Sequence, residues 1–182
     1  MRNLVKIVVL IMLTAGLSSC EKIRSIFDVE FDTTLSGDLD IDIQEDALKS
    51  TNNYEFHSSA TVNPLDDEDI EEYIDNIKDF AVNGVVAEVV YVNKGNVVFK
   101  QGTSFSIYDS NDKITWTLGG DWEIAEGTKI TLDDISGVYE AVADILDKKG
   151  TFMVGADGVS SETDVSITIR LSIDTKVTAN PL

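Results

Sequence analysis

From Phe27 onward the chain alternates apolar and polar residues with a period of two. Phe27, Val29, Phe31, Thr33 and Leu35 are separated by Asp28, Glu30, Asp32 and Thr34, and Leu39, Ile41 and Ile43 continue against Asp38, Asp40 and Asp42. Such alternation marks strands with one buried face. Ser36-Gly37 sits between the two runs and predicts a hairpin. A three-residue loop of Ser36, Gly37 and Asp38 sets Phe31 opposite Ile43 and Leu35 opposite Leu39, which keeps the apolar faces together. After a polar loop over 45–53, Tyr54, Phe56, Ser58, Ala60 and Val62 alternate again.

Past Asn63-Pro64 the period changes. Ile70, Tyr73, Ile74, Ile77 and Phe80 recur at helical spacing, with acids crowding the first turn where the helix dipole favours them, so a helix is expected over about 66–79. Val82 to Val92 reads as a central strand, and Val97 to Ile107 as another. Ile114, Trp116 and Leu118 face Trp122 and Ile124 across Gly119-Gly120-Asp121, which predicts a second hairpin. A second helix is expected over about 132–148, with Thr131 as cap, Asp134 three residues on, and Lys148-Lys149-Gly150 at its end. A last hairpin joins Phe152, Val154 and Ala156 to the strand from Val165 to Ile173 through a loop over Asp157–Asp164, with Val177 extending it.

These elements give about eight to nine strands and two amphipathic helices, without regular βαβ alternation. The expected class is mainly β: an antiparallel β-sandwich or flattened barrel in one domain over 27–178, with the helices covering an end or an open face.

The pattern upstream is different. Two cations, Arg2 and Lys6, precede an almost wholly apolar run from Ile7 to Leu13, and small residues follow as far as Cys20. That order is the layout of a secretory signal, and its core is too short for the ~20 residues of a spanning helix. Leu17-Ser18-Ser19-Cys20 resembles the lipobox of bacterial lipoproteins. The resemblance covers the first twenty residues. It implies a signal peptide over 1–19, cleavage before Cys20, a covalent diacylglycerol on the Cys20 thiol, and a lipidated tether over 20–26. The membrane would then be a partner through the anchor. Glu21 stands where Asp favours inner-membrane retention, so the resemblance points to the outer membrane, with periplasmic and surface faces both open. Cys20 is the only cysteine, so no internal disulfide is expected.

Charge narrows the partners. Asp and Glu number 33 against 14 Lys and Arg, a net charge of −19, and removal of residues 1–19 takes away two cations and no acid. Nucleic acid is excluded as an expected partner, since phosphate binding needs a basic face. An envelope protein or a glycan remains.

The candidate chemistry is sparse. His57, the single histidine, falls on the outward parity of its strand, and no nucleophile-elbow sequence accompanies it. Asp32, Asp40 and Asp42 share one face, and in the hairpin register Asp32 opposes Asp42, an arrangement that a hard cation such as Ca²⁺ would relieve. A solvated face that discourages aggregation explains the same acids without a metal. The loop Asp157–Asp164 is a similar candidate. Trp116 and Trp122 could stack on sugars, or could be core residues among their aliphatic neighbours. The expected function is therefore a non-enzymatic binding or structural-interaction module of the cell envelope. A carbohydrate-binding lipoprotein using exposed aromatics is the alternative, and a carboxylate-based hydrolase comes third.

Overall fold

The computed structural model describes residues 28–44 and 54–180. The expected signal peptide over 1–19, Cys20 with the rest of the expected tether over 20–26, and the loop expected over 45–53 lie outside the described residues.

The chain is mainly β, and the described residues form ten strands in two antiparallel sheets and two short α-helices. In order they are β1 (Val29–Ile43), β2 (Tyr54–Val62), α1 (Glu68–Tyr73), β3 (Ile77–Val92), β4 (Val97–Phe99), β5 (Ser104–Tyr108), β6 (Lys113–Thr117), β7 (Trp122–Ile124), β8 (Lys129–Thr131), α2 (Val138–Leu146), β9 (Phe152–Ser160) and β10 (Val165–Ala179). One sheet runs β1-β10-β3-β8. The other runs β6-β5-β9-β4-β7, with β2 on the far side of β9. The pairing is nested. β1 pairs β10, β2 pairs β9, β3 pairs β8, β4 pairs β7, and β5 pairs β6. A hairpin folded over on itself in this way is a jelly roll, here an open sandwich.

The nesting replaces three expected hairpins. Residues 29–43 form one strand with no turn, because the odd-position parity passes through Gly37 unbroken and Gly37 is itself buried. A β-carbon on Gly37 would lie 2.7 Å from Val154 Cγ2 and 2.8 Å from Val62 Cγ2. The glycine permits close approach of the two sheets and makes no turn. Trp122 and Phe99 are partners, as are Trp116 and Phe105, so the two tryptophan strands do not pair with each other. β9 and β10 belong to opposite sheets, and the segment between them crosses the sandwich.

β3 explains why the first helix is shorter than its periodicity suggests. Along β10, Ile167, Ile169, Leu171, Ile173, Thr175, Val177 and Ala179 oppose Val92, Val89, Ala87, Val85, Val82, Phe80 and Ile77. Register shifts leave Lys78, Asn83 and Val90 as extra residues on β3. Each bulge moves the inward face on by three residues instead of two. Ile77 and Phe80 are therefore three apart and both buried in a strand, and that spacing imitates a helical stripe. The helix itself is one and a half turns. Asp67 caps it by accepting the amides of Asp69 at 3.1 Å and Ile70 at 3.0 Å, and the Thr33 hydroxyl donates to the same carboxylate.

The second helix begins at Val138, after Ser136 and Gly137 at φ 64° and 80°. Thr131 ends β8 instead of capping α2, and the Asp134 carboxylate accepts the Tyr139 amide at 3.0 Å. Val142, Ile145 and Leu146 point into a single core that runs between the sheets. Its aromatic centre is Phe56, Phe99, Phe105 and Trp122. Phe56 and Phe99 are 4.4 Å apart between centroids, and Trp122 meets Phe99 and Phe105 edge-on at 6.1 and 5.9 Å.

Candidate functional site

The acidic face of β1 is answered by β10 and not by itself. In the observed register Asp32 is opposite Lys176, Asp38 opposite Arg170, Asp40 opposite Thr168 and Asp42 opposite Ser166. Arg170 donates to Asp38 through two nitrogens at 2.7 and 2.8 Å. Thr168 donates to Asp40 at 2.8 Å, and Ser166 to Asp42 at 3.0 Å. Asp32 and Asp42 do not oppose each other, because no hairpin brings them together. Among the described residues, no group of three His, Cys, Asp or Glu side chains is placed to hold a metal ion. The Arg170 guanidinium holds the Asp38 carboxyl below the usual range.

His57 on β2 pairs directly with Asp157 on β9, and its Nδ1 bonds the Asp157 carboxylate on the outer face of the sheet. Ser104 on β5 lies across Asp157 on the other side. The row therefore runs serine, aspartate, histidine. A Ser-His-Asp relay needs the imidazole in the middle, between the hydroxyl and the carboxylate, so this order does not make one.

The two indoles are core. Trp116 is 6% exposed and donates through Nε1 to the Asp133 carbonyl at 3.0 Å, while Trp122 is 9% exposed. Neither presents a face on which a sugar ring could stack.

Sequence patterning missed a groove of about 460 Å³ between the edges of the two sheets. One wall is β6 and the residues after it, with Trp116 and Leu118. The other is β8 and the approach to α2, with Ile130, Leu132, Ile135 and Val138. β6 ends one sheet and β8 ends the other, so two strand edges border an apolar trough. Ile135 stands at its mouth, 67% exposed, the most exposed large apolar side chain among the described residues. The periodicity placed Ile135 in the stripe of a helix. Three residues ahead of α2, it belongs to a loop. Its flanking Ser136-Gly137, both left-handed, is the only local sign that the helix starts late.

The ionisable groups elsewhere are engaged with one another. Lys148 donates to Asp109 and Asp112, each at 2.6 Å. That contact and the amides of Asn111 and Asp112 pull the Asp109 carboxyl down to about 2. Lys78 and Asn180 both donate to Asp28 Oδ1, at 2.6 and 2.9 Å. Asp147 moves the other way, pushed up first by burial and further by Asp79 and Asp144, against the Phe80 amide that it accepts.

No protein-family model matches the chain, and no curated protein matches it. One solved structure with a related arrangement is the crystal structure of the decameric BFDV capsid protein. It has 12% sequence identity and a TM-score of 0.45, and the match covers 82% of this chain and 99% of that one. A likeness that low says nothing about what this chain does.

Proposed function

We propose that the protein is a lipid-anchored binding module of the bacterial cell envelope, which takes an extended apolar segment of an envelope protein into the groove between β6 and β8. The observation that carries the binding reading is Ile135, held out to solvent beside Trp116, Leu118 and Ile130 where both sheets end. Strand edges offer backbone donors and acceptors to an added strand, and alternate side chains of that strand can fill an apolar trough. An apolar contact also suits a domain whose charge favours solubility and repels anionic headgroups. The anchor rests on Leu17-Ser18-Ser19-Cys20, and the outer-membrane placement on Glu21.

Two measurements test it. Cells fed a clickable palmitate should label the wild-type chain and not Cys20→Ala; label on neither removes the anchor. For the groove, peptides selected against the purified domain should shift the amide resonances of 113–117 and 129–131 together. Ile135→Asp should weaken them about tenfold, the effect of about 1.4 kcal/mol. Selected peptides that shift other strands instead, or selection that yields no binder, would count against the groove.

A further inference from the structure

α2 does for β3 what a neighbouring strand would do. β10 covers one side of β3 throughout, but on the other side β8 pairs only with Val86–Glu88. From Phe80 to Val85 the bonded amides on that side are taken by side chains of α2 and the residue after it, while the Val85 carbonyl accepts the Leu132 amide at 2.9 Å. Asp147 accepts the Phe80 amide at 3.0 Å. The Tyr139 hydroxyl accepts the Val85 amide at 3.3 Å and donates to the Leu132 carbonyl at 2.8 Å. A helix laid over an otherwise open edge protects it from pairing with another chain.

The seam between this helix and β3 is of one sign. Asp79 on β3, Asp134 ahead of the helix, Glu140 and Asp144 on it, and Asp147 at its end line a cleft of about 420 Å³. The neighbouring cations bond other groups, although the Lys149 charge still acts on Asp147. Lys149 donates to the carbonyls of Ile74 and Ile77 at 3.2 and 2.7 Å, and Lys148 is held by Asp109 and Asp112. The backbone at both ends is left-handed, at Ser136 and Gly137 before the helix and at Lys149 (φ 54°) after it. For the non-glycine residues that costs about 1 kcal/mol or more each. Apolar packing of Val142, Ile145 and Leu146 holds the segment against this repulsion.

We propose that α2 is an electrostatically loosened strap. Repulsion among Asp79, Asp144 and Asp147 lets it lift from the β3 edge at neutral pH and low ionic strength, and screening or protonation seats it. Lifting would bare the Phe80 and Val85 amides, an edge able to accept a strand. The inference does not depend on the lipid anchor or on the β6–β8 groove. The Asp147 carboxyl is pushed up first by burial and then by Asp79 and Asp144, against the Phe80 amide and the Lys149 charge, which has the same direction: the proton is bound more tightly with the strap seated than with it free.

Amide hydrogen exchange on the purified protein tests this, with Ile169 and Leu171 in the middle of β10 as reference for global opening. At about 0.01 M salt, where the Debye length is about 30 Å, Phe80 and Val85 should exchange at least roughly tenfold faster than the reference. At about 1 M salt, with a Debye length of about 3 Å, the gap should narrow severalfold. An Asp79→Asn/Asp144→Asn variant keeps the Asp147–Phe80 bond, and should show the narrow gap at low salt with little further response. Two results overturn the proposal. One is exchange of Phe80 and Val85 only with the reference; the other is a salt response as large in the double variant as in the wild type. Asp147→Asn, which keeps an acceptor for Phe80, should act like the double variant; faster exchange at Phe80 would count against it.

Discussion

Gly37 of β1 faces Val154 of β9 across the sandwich, and the valine methyl occupies the space that a side chain on residue 37 would need. Gly37→Ala places a methyl 2.7 Å from a valine methyl, which forces the sheets apart locally. The expected cost is about 1–3 kcal/mol, typical of overpacking. Combining it with Val154→Ala should recover part of that cost, so the double variant should be less destabilised than the two single effects added. Denaturant titration measures all three, and an additive result would mean that the residues are not in contact.

The Asp38–Arg170 pair joins the two long strands with a two-pronged contact at the surface. Both side chains are well exposed, so Arg170→Met should cost no more than about 1 kcal/mol. Arg170→Lys, which keeps the charge and loses the fork, should fall between. The carboxyl is depressed in the folded state, so its contribution is present above its ordinary value and lost as pH falls through the folded one. Stabilities of wild type and Arg170→Met, measured by chemical denaturation, should converge below the carboxylate range.

Lys148 holds the turn between β5 and β6 by bonding Asp109 and Asp112. Asp109, at about 2, titrates below an ordinary aspartate. Its share of the stability is present at neutral pH and is lost only as the pH drops from about 4 through about 2. Lys148→Met should therefore raise the pH of the acid-unfolding midpoint, and the two proteins should behave alike once Asp109 is protonated. Circular dichroism across that range reads the difference.

Trp116 and Trp122 should both emit as buried indoles and resist quenching by acrylamide. Trp116→Phe leaves the Asp133 carbonyl without its donor and should cost about 1 kcal/mol. Phe99→Ala, at the meeting point of Phe56 and Trp122, should cost about 3–5 kcal/mol. Strong quenching of both indoles in the folded protein would contradict the packing described.

What could be read from the residues was the local part. Alternation at 29–43, 54–62 and 165–177 marks strands because each has one wet face and one dry one. The pairing was not legible. Adjacency in sequence suggested hairpins at Gly37, Gly119 and the 157–164 segment, whereas residues 29–43 are one strand, β6 and β7 stand at opposite ends of one sheet, and β9 and β10 belong to opposite sheets. The strand over Val82–Val92 was legible, but a bulge hid the start of β3, since an extra residue at Lys78 gives Ile77 and Phe80 the spacing of a helix face. The acids at Asp32, Asp40 and Asp42 were legible as a face but not in their partners, which lie over a hundred positions away; Thr168 bonds Asp40 across a separation of 128. The groove at Ile135 was invisible because it arises where β6 and β8 come together, and no local pattern records that meeting.

The nested pairing also sets the order in which the molecule can be completed. β1 is synthesised first and its partner β10 last, so every other strand emerges while β1 still waits. The innermost pair, β5 with β6, closes over a short turn and can form early; the outermost closes a loop of most of the domain and should limit the folding rate. During that wait β1 is an unpaired strand of fifteen residues, open to association with other chains. Its run of aspartates, ordinary surface residues once folded, would then serve as a gatekeeper for the nascent chain.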